Sequence, residues 1–300
     1  MAIGAVALFT IGAGAPGMMA QDAKDAVAFE KLTKEKILNG NWDVLQAGIT
    51  GGLFTKEELI TIAETAIEFD RDGVTPKEDG AVFALMGKNV PEVNEVIAQS
   101  NDMRILAAVA KKELSLAATL GVAKKAVDYS SQNKKDISNY EVYEALLEKN
   151  VPEVNAQLGK TNDAKLLQKL VERNITEELA INIAAKAVEM THGPKMEAEN
   201  AILAELLKKE MVPVFEVLSN SSDRDILAAI AQKKIPASLS VSLAKKALEP
   251  VNDKAAKAAN DRLIDALLEK KDVQVIRVLA SSPDGAMAKK IEMTMENIKR

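Results

Sequence analysis

The chain repeats itself, and that limits its fold more than any other feature does. Lys88-Asn89-Val90-Pro91-Glu92-Val93-Asn94 recurs as Lys149-Asn150-Val151-Pro152-Glu153-Val154-Asn155, 61 positions later. The segment from Ser100 to Val127 returns between Ser221 and Leu248, 121 positions later, with 12 of 28 residues identical. Ala123-Lys124-Lys125-Ala126 comes back as Ala244-Lys245-Lys246-Ala247, and Ala184-Ala185-Lys186-Ala187 holds the matching place between them. The period is therefore 60–61 residues. Full copies run over residues 80–138, 139–199 and 200–259, and a truncated one over 260–300. Residues 21–79 read as a degenerate first copy or cap, in which Ile60, Ala63, Ala66 and Ile67 take the places of Ile181, Ala184, Ala187 and Val188. Terminal copies of a stack diverge because their outer face has no neighbour.

The pattern inside each copy is helical. In the second copy the expected helices are Tyr140–Glu148, Pro152–Leu158, Ala164–Glu172 and Thr176–Glu189. Leu166, Leu167, Leu170 and Val171 form one apolar stripe, and Ala180, Ile183, Ala184, Ala187 and Val188 form another. Such spacing buries one side of a helix and leaves the other wet. Pro91 and Pro152 suit a first helical turn, where the missing N–H loses nothing. Thr55 with Glu58, Ser138 with Glu141 and Asn174 with Glu177 have capping-box spacing. No run alternates with period two long enough for a sheet. The expected fold is all-α: an elongated, right-handed α-solenoid of ~60-residue units, each two helical hairpins, with degenerate terminal units.

Composition narrows the chemistry. There is no cysteine, which excludes disulfides, thiolate metal sites and cysteine nucleophiles. One histidine, His192, excludes multi-histidine metal sites. Aromatics at 3% are too few for base-stacking platforms. The net charge of −5 argues against a nucleic-acid partner. Residues 223–300 do carry 15 Lys+Arg against 11 Asp+Glu, a mild excess that a solvated surface explains.

Residues 1–20, MAIGAVALFTIGAGAPGMMA, are uncharged, and Gln21-Asp22 opens a strongly charged sequence. The run is shorter than the ~20 residues of a spanning helix but has the length of a signal-peptide core. No Lys or Arg precedes it, and Met18 is a mediocre residue three places before a cleavage point. It reads as an export signal; a retained apolar arm and a membrane anchor are the alternatives. An export signal implies an exported or periplasmic protein; without one the location is cytoplasmic. No transmembrane span is expected.

The segment Val217-Leu218-Ser219-Asn220-Ser221-Ser222-Asp223-Arg224-Asp225-Ile226-Leu227-Ala228-Ala229-Ile230-Ala231 resembles HEAT-type and leucine-rich-repeat-variant units, in which a short Asp-containing turn joins an apolar helix to an Ala-rich one. Leu267–Leu279 likewise resembles helical repeats of a bacterial family with no assigned function. The resemblance covers residues 80–300 and implies an α-solenoid. It brings no catalytic residue with it.

Candidates for chemistry are few. Glu68, Asp70 and Asp72 take positions 1, 3 and 5 of a calcium-type loop, with Gly73 at the turn, Thr75 at position 8 and Asp79 at position 12. The register is poor at positions 1, 8 and 12, so the segment reads as a linker between copies. His192, in Thr191-His192-Gly193-Pro194, reads as a solvated turn residue. Gly12-Ala13-Gly14 and Gly51-Gly52 lack the context of a phosphate loop. Trp42 and Phe54 read as core fillers or partner anchors. Lys125, Lys186 and Lys246 form a ladder at matching places on the last helix of each copy, with Lys124 and Lys245 beside two of them. The ladder is either a solubilising face or a surface for an acidic partner. No cofactor and no metal are expected. The expected function is a non-catalytic protein–protein interaction scaffold or structural subunit of a larger assembly, in the cell envelope if residues 1–20 are an export signal. The alternative is an enzyme or ligand-binding protein using only Asp, Glu, Lys, Ser or Tyr in a solenoid groove.

Overall fold

The structure is a computed structural model that describes residues 42–71, 79–132, 137–190, 197–251, 254–282 and 285–299. Among these residues every regular element is a helix. Two helices come first, α1 (Trp42–Gly51) and α2 (Lys56–Arg71). The next four are α3 (Asp79–Gly87), α4 (Pro91–Ile97), α5 (Met103–Ala110) and α6 (Leu116–Ser131). The second copy gives α7 (Ile137–Glu148), α8 (Pro152–Leu158), α9 (Ala164–Val171) and α10 (Glu177–Met190). The third gives α11 (Glu197–Lys208), α12 (Val212–Leu218), α13 (Arg224–Ala231) and α14 (Ala237–Ala247). The last gives α15 (Lys254–Glu269), α16 (Val273–Leu279) and α17 (Gly285–Lys299). Residues 1–41, which hold the apolar segment 1–20 and the start of the degenerate copy, and His192 lie outside the described residues.

The chain divides into two compact units, the first ending at Val122 and the second beginning at Ala123, inside α6. The boundary does not coincide with a copy boundary. In the first unit α1 packs on α3 and α2 on α4. In the second, α9 packs on α11 and α10 on α12, then α13 on α15 and α14 on α16. Within each unit the rule is the same: the third helix of one copy lies on the first of the next, and the fourth on the second. The expected apolar stripes are the packed faces. Leu166, Leu167, Leu170 and Val171 are buried in α9, as are Ala180, Ile183, Ala184 and Ala187 in α10. Burying a leucine contributes roughly 1.5–3 kcal/mol, and alanine on the α10 stripe lets its neighbour come close.

Three recurrent devices set the helix ends. The first is a turn after the first helix of each copy, where Asn89, Asn150, Glu210 and Lys271 adopt φ of 54°, 50°, 54° and 55°. Asparagine tolerates this left-handed region better than glutamate or lysine. The second is the start of the second helix. Pro91, Pro152 and Pro213 occupy its first turn in three copies, with no side-chain cap. The last copy lacks the proline, and Asp272 accepts from Gln274 N at 2.7 Å and Val275 N at 3.3 Å instead. The third device starts the third helix. Asp102, Asp163 and Asp223 accept from the N–H groups of Arg104, Lys165 and Asp225. The fully buried hydroxyls of Ser100, Thr161 and Ser221 accept from the N–H groups of those same aspartates at 2.9, 3.1 and 3.0 Å.

Of the three expected capping boxes one forms. Thr55 N donates to Glu58 Oε2 at 2.8 Å, and Glu58 N returns to Thr55 Oγ1 at 3.3 Å. Ser138 lies inside α7 and is buried, because that helix takes in Ile137, two residues ahead of the start at Asn139 that the capping pattern suggested. The start of α10 is capped by Thr176, whose hydroxyl accepts from Leu179 N at 3.3 Å, two residues beyond Asn174.

Candidate functional site

The lysine ladder is not a freely exposed row. Lys125, Lys186 and Lys246 are all half-buried, on α6, α10 and α14. Lys186 Nζ donates to the carbonyls of Lys160 and Thr161, both at 2.7 Å, and to Asn162 Oδ1 at 3.3 Å. Lys246 Nζ donates to Ser221 O at 3.2 Å. The Lys186 and Lys246 ammonium groups thus seat on the turn that ends the second helix of their own copy, where carbonyls lack helical partners. Burial holds both ammonium groups below the usual lysine range, against the pull of Glu189 and Glu249 respectively. Glutamate in place of Lys186 or Lys246 would therefore disturb the fold. Carboxylates there would face carbonyl oxygens. Lys124 and Lys245 are exposed, as is Ala185 at the matching place.

A second lysine series went unread in the sequence. Lys88 Nζ donates to Thr50 O at 3.0 Å, Lys209 Nζ to Arg173 O at 2.7 Å and Lys270 Nζ to Lys233 O at 2.6 Å. Lys149 stands at the matching place in the second copy. In these three pairs the lysine ends the first helix of one copy and reaches the C-terminal carbonyls of the third helix before it. Burial lowers the pKa of Lys209 and Lys270. The spacing of 60–61 was visible; the backbone acceptors, 36–38 residues away, were not.

The second copy also holds a hydroxyl cluster of its own. Tyr143, only 1% exposed, stands where the other copies carry Val82, Leu203 and Ile264. Ser130 Oγ and Thr161 Oγ1, beside it, are 3.0 Å apart. Burial pushes the Tyr143 phenol up to about 12, with those two hydroxyls pulling it down. Tyr140 OH donates to Asp163 Oδ2 at 3.0 Å. Burial, and then that carboxylate, raise the Tyr140 phenol as well.

The same copy also holds a cleft of about 260 Å³. Asn155, Ile175 and Leu179 form its buried floor, and Asn150, Pro152, Asn174 and Thr176 its exposed rim. Asn155 is 4% exposed, and its carboxamide oxygen has no hydrogen-bond partner. Asn94, 61 positions earlier in the first unit, is 1% exposed and its oxygen is also unpartnered. In the third and fourth copies the same register holds Phe215 and Ile276, both buried.

Glu68 and Asp70 lie in the last turns of α2, not in a loop, and Asp79 opens α3. Residues 72–78, with Asp72, Gly73 and Thr75, lie outside the described residues. Among the described residues no group of three or more His, Cys, Asp or Glu could hold a metal ion. Trp42 is buried in α1. Phe54 lies against Gly48, where a Cβ would come within 2.7 Å of its ring. Gly52, at φ +72°, follows the last residue of α1, while Gly12 and Gly14 fall outside the described residues. Among the described residues no helix is long and apolar enough to cross a membrane. Comparison of the chain with protein-family models, curated proteins and solved structures finds no match.

Proposed function

We propose that the chain is a non-catalytic protein-interaction scaffold or structural subunit, built as an α-solenoid of ~60-residue, HEAT-like copies. The observation that carries this reading is the packing rule inside each compact unit, third helix on first and fourth on second. Packing by copies sets equivalent residues at equivalent places, which is how helical repeats build an extended binding surface. The residue chemistry supports it. Asp102, Asp163 and Asp223 cap helices, and Lys186, Lys246, Lys209 and Lys270 hold turn carbonyls. The cleft is lined by carboxamides, a hydroxyl and aliphatic groups, which suits recognition better than proton transfer. A cell-envelope setting is the part of the proposal that rests on residues 1–20 alone.

The partner surface we propose is acidic and meets the last helix of each copy through the exposed Lys124 and Lys245, with Lys125, Lys186 and Lys246 beneath setting their register. Affinity purification from the organism that makes the chain, with mass-spectrometric identification and reconstitution, is the test. A protein partner should co-purify, and Lys124→Glu with Lys245→Glu should slow its association and alter the salt dependence while the fold persists. A chain that takes no protein partner but turns over a small molecule contradicts the proposal.

A further inference from the structure

Asn155 occupies a core position without core chemistry. Its register accepts Phe215 and Ile276 in the later copies, so packing does not require a carboxamide there. A buried polar group without a partner is destabilising, and native chains keep few of them. This chain keeps one twice, within the identical Lys-Asn-Val-Pro-Glu-Val-Asn heptapeptide of the first two copies. In the second copy the residue forms part of the floor of a cleft.

The lining specifies what fits. Asn150, Asn155 and Asn174 each present one donor and one acceptor end, and Thr176 adds a hydroxyl. Glu177 and Glu178 in the first turn of α10 disfavour an anion. No cation-binding carboxylate lines the cleft, and Pro152, Ile175 and Leu179 supply apolar walls. At about 260 Å³ the space is smaller than pockets for drug-sized ligands, which run from ~300 Å³ upward. A neutral group with paired N–H and C=O ends and small apolar side chains satisfies all of these. That is a peptide main chain.

We propose that this cleft takes a short, extended, uncharged peptide segment of a partner protein, its main-chain amides pairing with the carboxamides of Asn150, Asn155 and Asn174. The inference rests on the scaffold reading and names the partner chemistry at one place on it. Asn155→Ile, which installs the residue of the last copy, removes the amide while keeping the floor apolar. Asn174→Ala removes a rim amide at an exposed position, and carries the test if Asn155→Ile does not fold.

The full chain is screened against a library of acetylated, amidated and uncharged hexapeptides, and affinities of retained peptides are measured by fluorescence anisotropy. The expected result is a set of peptides whose affinity falls at least ~10-fold on Asn174→Ala and on folded Asn155→Ile, a loss of ~1.4 kcal/mol or more. No retained peptide, or peptides that bind wild type and variants equally, overturns the proposal and leaves the cleft a hydrated defect. The scaffold reading fails separately. A native partner that co-purifies equally with wild type and both variants leaves the scaffold standing and removes the cleft from it.

Discussion

Leu167 shows how much of this chain's stability rests on single side chains. It is fully buried on the α9 stripe, and truncating it leaves a cavity that the surrounding helices fill only in part. Leu167→Ala should lower unfolding free energy by ~2–5 kcal/mol in chemical denaturation. Val273→Ala, at a position 65% exposed, should change it by less than ~0.5 kcal/mol. The reverse order would mean that the buried and exposed faces are misassigned. Tyr143 gives a different handle. Its phenol titrates near 12 in the folded chain and near 10 when unfolded. Between those values the folded state holds the proton and the unfolded state releases it. Its contribution is complete below about pH 10 and is lost as pH rises towards 12, by ~2–3 kcal/mol in all. The buried lysines slope the other way, so the difference between wild type and Tyr143→Phe isolates the contribution of this phenol. Parallel stability curves for the two proteins between pH 9 and 12 would contradict it.

At the scale of elements, the copies share caps more faithfully than they share sequence. Asp163 accepts from two N–H groups of α9 and from the Tyr140 hydroxyl. Asp163→Ala should therefore cost about 1–2 kcal/mol by thermal melting, near the upper end for a helix cap. A change below ~0.3 kcal/mol would show that the turn is held by Thr161 and Lys186 without it. The helices themselves were legible in the sequence, because a 3.6-residue apolar period repeated three times averages out local noise. Pro152 and Leu158 bound α8 where the sequence places them. Ser138 and Asn174 misled, since the capping spacing also occurs inside a helix and just ahead of a cap. The lysine roles were illegible for another reason. A recurring lysine looks the same whether its ammonium meets water or a carbonyl from another helix, and only packing distinguishes Lys186 from Lys124. Asn155 was unreadable likewise, as part of a repeated heptapeptide whose even-handed polarity hides which residue points inward.

For the whole molecule, the central proposal is that copies packed third-on-first and fourth-on-second continue into one solenoid that presents a long surface. The sequence supplied the period, and the structure supplies the packing rule within each of the two compact units. A protein whose copies touch only neighbours grows along one axis, whereas a 300-residue globule has a radius of gyration of about 19 Å. Small-angle X-ray scattering of the full chain in dilute solution is the most direct test. The account predicts a radius of gyration well above that figure, with a pair-distance distribution skewed to a long tail. A symmetric distribution with a radius of gyration near 19 Å would contradict the solenoid, and with it the extended surface on which the scaffold function depends.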